Sequence, residues 1–179
     1  RELYDIDISD STISRITDKI LPIVKEWQER PLEEVYAVVF MDAIHYHVRS
    51  EGRIVKRAVY IALGIDMNGK KDVLGMYVGE NESAKFWHDN WATLSTYFKY
   101  PEAVRRLIYT TNAIEGFNRQ LRKVTKSKTV FPSDDSLLKM LYLATMDITK
   151  KWTGHRQDWG QIHSQLEIYF EERLIGRNL

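Results

Sequence analysis

The pattern of apolar and polar positions in the first half of the chain predicts three antiparallel strands. Residues 35–49 form one long strand-like run whose side chains fall on two faces, and residues 54–63 and 72–78 form two further strand-like runs. Glu51-Gly52 separates the first two runs, and Asn68-Gly69, a typical hairpin dipeptide, separates the second from the third. The pattern therefore predicts a meander in which each strand pairs with the next one in sequence.

Helical spacing of apolar residues marks the segments on both sides of this meander. A helix is expected over residues 9–29, with Pro22 kinking or splitting it, and an aromatic-rich helical segment over 80–100. Further helices are expected over residues 112–123, over the segment from the Ser133 cap to Trp152, and over residues 158–174. A loop is expected at residues 127–132. The fold class is α+β, a three-stranded antiparallel meander with flanking helices and a helical C-terminal half.

Composition limits the class of protein without choosing a function. A chain of 179 residues with 44% hydrophobic and 28% charged residues is typical of one globular domain. The chain contains no cysteine, which excludes a disulfide scaffold, a thiolate zinc site and a cysteine nucleophile. No apolar run is long enough to span a bilayer, so no membrane partner is expected.

Charge is unevenly distributed, although the net charge is only +1. Between Lys99 and Lys128, eight Lys and Arg residues face only Glu102 and Glu115, a local charge of +6. Aromatic and amide side chains interleave with these cations, which favours binding to phosphates. A solvated helix face is the ordinary alternative for such a run, and the sequence leaves it open.

Asp42 stands out because it shares a strand face with Val38, Phe40, Ile44 and Tyr46. An isolated ionised carboxylate buried among such neighbours costs several kcal/mol. We therefore expect Asp42 to be protonated, paired with a cation or bound to a metal ion. A structural ion pair with an arginine explains the position as well as a metal does.

Glu115 is the second candidate carboxylate. It follows Asn112 by three residues, the spacing of a capping box, and this structural explanation is sufficient on local evidence. Asn118 and Arg119 share its helix face, however, and such a carboxylate among phosphate-binding groups also suits a metal ion that contacts a phosphate.

Two histidines, His45 and His47, lie on the strand face opposite Asp42. An H-x-H pair can bind zinc, but no third ligand accompanies it, so solvent-exposed strand histidines are the expected explanation. The sequence contains neither a nucleophile elbow nor a glycine-rich phosphate loop.

Three segments together resemble the Mutator-type family of bacterial insertion-sequence transposases. The resemblance is carried by ISRITDKILP with EWQERPLEEVYAVVFMDAIHYHVR, by GKKDVLGMYVGENESAKFW, and by LSTYFKYPEAVRRLIYTTNAIEGFNRQLRKVTKSKTVFPSDDSLLKMLYLA. The most specific parts are the YTTNAIE-x-x-N-x-x-L-R and FPSDDSL runs. Nearly the whole chain is covered.

The resemblance implies an RNase H-like core, here partial, and DNA cleavage and strand transfer by an Asp-Asp-Glu triad with two Mg²⁺ or Mn²⁺ ions. Asp42 resembles the first Asp and Glu115 the Glu, so both are expected catalytic residues and metal ligands. DNA, as transposon terminal repeats and target, is the implied partner, and a bacterial cytoplasmic, nucleoid-associated location is expected. The expected DNA-binding residues are Arg105, Arg106, Asn112, Asn118, Arg119, Arg122, Lys123 and Lys126.

The chain also departs from the family pattern after the GENESAKFW run. The segment that would carry the second Asp and its strand is absent, and Asp89 at the junction does not match the Asp motif. Residues 1–30 are expected to be a helical remnant of the N-terminal DNA-binding region, and residues 31–179 the incomplete catalytic domain. Loss of one carboxylate predicts little or no activity. The exposed first strand predicts self-association into a homo-oligomer.

Three functions stay open at this point. The first is an internally truncated Asp-Asp-Glu transposase. The second is a non-catalytic DNA-binding remnant that interferes with an intact transposase. The third is a small α+β binding module without a nucleic-acid role, against which the basic run argues.

Overall fold

A three-stranded antiparallel sheet in the order β1-β2-β3 forms the centre of the fold, confirming the predicted meander. The computed structural model describes residues 19–79, 112–155 and 158–171. The bounds of the strands are Tyr36–Ser50 for β1, Arg53–Asp66 for β2 and Lys71–Gly79 for β3, so β2 and β3 are longer than the sequence pattern indicated. Register is continuous from Val38 to Ser50 in β1, so side chains alternate between the two faces without interruption over that range.

Both hairpin turns use backbone conformations that glycine favours. Glu51 and Gly52 have φ values of 49° and 75°, the paired positive values of a two-residue hairpin whose twist matches that of the strands. At the second turn, Gly69 has φ 76°, and the Asp66 carboxylate accepts backbone N–H bonds from Asn68 and Lys70, both at 2.8 Å. These local signals explain why the pairing of consecutive strands could be predicted from the sequence.

Helices pack against the sheet at the positions that the sequence pattern marks within the described residues. Their bounds are Ile20–Glu29 for α1, Asn112–Thr125 for α2, Asp134–Thr149 for α3 and Trp159–Tyr169 for α4. The helices expected over residues 9–18 and 80–100 lie outside the described residues. The same holds for most of the segment assigned to an N-terminal remnant.

One predicted helix boundary was wrong, because helix α3 ends at Thr149 and stops short of Trp152. Pro22 lies in the first turn of α1, where a backbone N–H has no intrahelical acceptor. Residues 9–18, before the predicted kink, and residues 172–174, at the predicted end of the last helix, lie outside the described residues. None of the described helices is long and apolar enough to cross a membrane.

The Ser133 cap was predicted correctly. Its side-chain Oγ accepts the backbone N–H of Ser136 at 3.1 Å, and Asp134 and Asp135 occupy the first turn. This arrangement satisfies an orphan donor and places negative charge at the positive end of the helix dipole. Helix α3 thereby begins at a fixed point and contacts β1, β3, α1 and α2.

One face of the sheet and the helices enclose the hydrophobic core. The strand positions on that face alternate with positions on the opposite face, as predicted for the Asp42 side of β1. Buried members of this core include Phe40, Ile44, Tyr46, Val48, Val59, Ile61, Leu63 and Met76 from the strands and Ile114, Phe117, Leu121, Leu137, Leu141 and Ile148 from α2 and α3. Helix α2 lies along β1, whereas α1 lies near β3.

The predicted loop at 127–132 contains a contact that the sequence did not indicate. Phe131 forms an isolated parallel bridge beside Val48: its N–H donates to the His47 carbonyl and its carbonyl accepts from the Arg49 N–H, both at 2.8 Å. The Phe131 ring is buried and contacts the Tyr46 ring edge-on at 5.7 Å. The outer edge of β1 is therefore covered at its C-terminal end.

Candidate active site

Asp42 lies at the middle of β1 on the helix-facing side of the sheet, opposite Ile61 of β2. Its neighbours on that face, Phe40 and Ile44, are buried as expected, but Asp42 itself is exposed. The expectation of a buried carboxylate was therefore wrong. The desolvation cost of a buried ionised carboxylate does not apply to Asp42.

The backbone direction of β1 explains this exposure. Phe131 pairs with His47 and Arg49 on the side of β1 that faces away from β2. Because amides alternate along a strand, the N–H of Ala43 points to the same outer edge. That N–H donates to Asp42 Oδ1 at 2.8 Å, so the carboxylate leans over the edge of the sheet instead of into the core.

Asp42 is held from the helix side by Asn118 of α2. The Nδ2 of Asn118 donates to Asp42 Oδ2 at 2.6 Å across 76 positions of sequence. No salt bridge joins Asp42 to another described residue, so the arginine ion pair that the sequence left open is not formed with any of them. Among the described residues, the side chain that donates to this carboxylate is therefore a neutral amide.

Asn118 is buried, with only 2% of its surface exposed, among the apolar residues Ile114, Phe117 and Leu121 of the same helix. Its second polar atom, Oδ1, is buried without a hydrogen-bond partner. The sequence suggested DNA binding for this residue, and that role stays a prediction. In the structure its side chain contacts Asp42.

Glu115 lies one helical turn before Asn118 and is exposed. Side chains three residues apart in a helix have Cβ atoms roughly 5–6 Å apart. The hydrogen bond from Asn118 to Asp42 therefore brings the turn of α2 that carries Glu115 to the Asp42 side of the sheet. The alternative role of Glu115 in a capping box with Asn112 involves the first described residues of α2 and stays a prediction.

A basic flank runs along α2 beside these groups. We use this name for Arg119 and Arg122, which follow Glu115 by four and seven residues on one side of the helix, and for Lys126, which directly follows the last residue of α2. All three are exposed, as are Lys123 and Asn112. The other two predicted DNA-binding residues, Arg105 and Arg106, lie outside the described residues.

A second polar contact between α2 and β1 was not foreseen. Thr125 Oγ1 lies 3.5 Å from the Tyr46 hydroxyl, and it also contacts the Leu121 carbonyl at 3.0 Å. Burial raises the pKa of Tyr46, against the opposing effects of the Thr125 hydrogen bond and the Arg122 charge. The only sequence signal for this contact was a threonine continuing the apolar face of α2 one turn after Leu121.

His45 and His47 are exposed on β1. Strand alternation places both on the face opposite Asp42, as predicted. Within residues 19–79, 112–155 and 158–171, no group of three or more His, Cys, Asp or Glu side chains is arranged to hold a metal ion. The candidate site in the described part of the chain therefore consists of Asp42, Glu115 and Asn118, with two carboxylates.

The architecture that docks the helix of Glu115 on the strand of Asp42 is an α+β fold consistent with a partial RNase H-like core. Comparison with known proteins then defines the family. The chain belongs to the Mutator family of transposases, whose model matches residues 1–94 and 87–155.

Curated relatives agree with this assignment. The chain is 28% identical to the transposase for insertion sequence element ISRM3 of Rhizobium meliloti (strain 1021), over 98% of this chain and 69% of that protein. It is 25% identical to a probable insertion-sequence transposase of Corynebacterium diphtheriae, over 84% of this chain and 74% of that protein. A shorter match to the IS256 transposase of Staphylococcus aureus has 32% identity over 55% of this chain and 24% of that protein.

The same comparisons support an internal truncation. The alignment with the Rhizobium relative extends over 276 residues, whereas the whole chain has 179. The family model matches in two segments that overlap at residues 87–94, where the sequence departs from the family pattern. Relatives therefore contain aligned positions that have no counterpart in this chain.

Proposed function

We propose that this chain is an insertion-sequence transposase domain built for metal-dependent cleavage and strand transfer of DNA, with Asp42 and Glu115 as two of its catalytic carboxylates. The observation that carries the proposal is the 2.6 Å hydrogen bond from Asn118 to Asp42, which docks the Glu115 helix on the Asp42 strand. Family membership supplies the reaction class, and this contact supplies the arrangement of residues.

The chemistry of the two side chains fits Mg²⁺ or Mn²⁺, which prefer oxygen ligands. Each oxygen of Asp42 accepts one hydrogen bond, and a carboxylate oxygen has room for a second partner. Both carboxylates are exposed and so accessible to a hydrated cation. A bound cation would supply Lewis-acid activation of a water or a 3′-hydroxyl.

The DNA partner is proposed from the basic flank. Arg119 and Arg122 lie on the exposed side of α2 after Glu115, and the exposed Lys126 follows the end of the helix. Cations beside a carboxylate pair would hold the phosphate next to the groups that bind the metal. Terminal repeats and target DNA are the substrates that this arrangement serves.

Catalytic activity of this chain is proposed to be low. The described residues provide no group of three carboxylates, and the family resemblance assigns the second Asp to the segment that is absent. Loss of one member of a cooperating catalytic set commonly costs several powers of ten in rate. These points favour a second candidate, a DNA-binding remnant that interferes with an intact transposase.

Binding of Mn²⁺ to the chain, followed through the electron paramagnetic resonance signal of the free ion, tests the metal centre. Asp42→Asn and Glu115→Gln should each abolish or strongly weaken the same binding event, since each removes one oxygen ligand. Asp147→Asn, which changes an exposed carboxylate on α3, is the matched control and should bind like the wild type. Equal binding by all four proteins would refute the shared site.

Nicking of supercoiled plasmid in the presence of Mg²⁺ distinguishes the two candidates. A slow rate that disappears in Asp42→Asn supports a weakened enzyme. Salt-dependent DNA binding without nicking supports the remnant. A rate equal to that of a full-length relative would contradict the proposed impairment.

A further inference from the structure

We infer that Asn118 is a positioning residue for the carboxylate pair: it orients Asp42 and fixes the rotation of α2 that brings Glu115 beside it. This inference rests on the proposed metal-dependent function. Asn118 does not have to touch the DNA or the metal in this role, because it acts through Asp42.

The geometry around Asp42 supports an orienting role. One oxygen accepts from the Ala43 backbone at 2.8 Å and the other accepts from Asn118 at 2.6 Å. The two donors come from different elements, β1 and α2, so together they fix the plane of the carboxylate. Without Asn118 an exposed aspartate would be free to change its side-chain torsions, and its oxygens would lose their fixed direction.

The same contact determines how α2 lies on the sheet. Asn118 occupies the buried face of α2 together with Ile114, Phe117 and Leu121, whose apolar packing alone permits small rotations of the helix. A directional hydrogen bond does not permit them, because its strength falls steeply with angle. Glu115 lies one turn away and moves with any such rotation, so the hydrogen bond also fixes the second carboxylate.

Packing does not explain why an asparagine occupies this position. Its Oδ1 is buried without a partner, which costs stability, whereas a leucine of similar size would leave no such atom. The chain tolerates this cost at the one described residue that links the Glu115 helix to Asp42. A functional role in holding the carboxylate is consistent with that choice.

The test compares the Mn²⁺ affinity and the thermal unfolding of wild-type chain and Asn118→Leu. Loss of an outer partner of a metal ligand commonly weakens metal binding about 10–100-fold, and we expect a weakening in that range. The unfolding midpoint should stay the same or rise, because the buried unpaired oxygen is removed. A purely structural role would lower stability without this selective loss of affinity.

Thr125→Val is the matched control, since it removes a buried polar contact of the same helix two turns from Asn118. Its Mn²⁺ affinity should equal that of the wild type. Asn118→Ala provides a second variant that also lacks the donor and introduces no larger side chain, in case the leucine prevents folding.

The outcomes separate this inference from the proposed function. If the wild type binds no Mn²⁺, both the proposed metal centre and the positioning role of Asn118 are refuted. If the wild type binds Mn²⁺ and loses binding in Asp42→Asn, but a folded Asn118→Leu or Asn118→Ala binds equally well, only the positioning role is overturned.

Discussion

Arg49 donates its backbone N–H to the carbonyl of Phe131 at 2.8 Å, and this contact defines the outer edge of β1. Strand alternation then directs the amides of Met41 and Ala43 to the same edge. The Ala43 N–H donates to the Asp42 carboxylate, whereas the outward N–H of Met41 has no acceptor among the described residues. One end of the edge is therefore closed by Phe131, and its middle carries the candidate active site.

Self-association through this edge is the first prediction, since an open apolar strand edge pairs readily with a second copy. Wild-type chain should sediment as a species larger than its 21.1 kDa monomer. Met41→Pro removes an outward N–H without removing a β1–β2 hydrogen bond, so it should shift the chain toward the monomer. A monodisperse monomeric wild type would contradict the prediction.

The second prediction concerns the two turn glycines, which have nearly the same φ but different surroundings. A Cβ on Gly52 would meet no atom within 4 Å, whereas a Cβ on Gly69 would lie 2.5 Å from the Trp159 ring. Trp159 cannot move easily, because its Nε1 donates to the Met67 carbonyl at 3.0 Å. Gly52→Ala should cost only the backbone strain of about 1–2 kcal/mol.

Gly69→Ala should cost that strain and a further 1–3 kcal/mol, roughly, for the steric overlap. Urea unfolding of the two variants side by side measures the difference directly. Equal destabilisation by both substitutions would mean that Trp159 moves aside without cost.

The third prediction concerns pH and Tyr46. Burial raises its folded-state pKa above the unfolded value of about 10, so the folded chain retains this proton more firmly. The resulting stabilisation is complete below the unfolded pKa and is lost as pH rises through the folded pKa. Urea unfolding between roughly pH 8 and pH 11 should therefore show falling stability.

Tyr46→Phe should reduce this pH dependence without abolishing it, because burial also raises the pKa of Tyr36. Tyr77→Phe, which changes an exposed tyrosine on β3, is the control and should leave the profile unchanged. An unaltered slope in Tyr46→Phe would contradict the assignment.

DNA binding by the basic flank is the fourth prediction. Arg119→Ala and Arg122→Ala should each weaken binding to duplex DNA similarly for all sequences and reduce the salt slope by about 1, as expected for a phosphate contact. Lys25→Ala, at an exposed basic position on α1, is the control. Fluorescence anisotropy over a range of salt concentrations measures both quantities, and an unchanged slope in the arginine variants would place the DNA elsewhere.

The sequence predicted what depends on neighbours along the chain. Alternation and turn dipeptides located the strands, and Ser133 located the start of α3, because each signal lies within a few residues of its effect. The exposure of Asp42 could not be predicted, because alternation shows which face a side chain takes but does not show how far the strand lies from the sheet centre.

The hydrogen bond between Asn118 and Asp42 could not be predicted from the sequence either, since it joins residues 76 positions apart. A polar residue among phosphate-binding cations suggested DNA binding, and only the packing of α2 on β1 turned its side chain toward the carboxylate. Phe131 is a similar case, because an apolar residue in a short loop does not indicate a strand-like bridge.

The succession of β1, β2 and β3 along the chain has a consequence for folding. Every ladder of the sheet joins immediate neighbours, so its loops close at low entropic cost and the pairing has low contact order. The meander can therefore assemble before the distant helix α2 docks against it. A chain that lacks an internal segment after Gly79 still contains the whole meander. Loss of a catalytic carboxylate with that segment therefore need not prevent the sheet from folding.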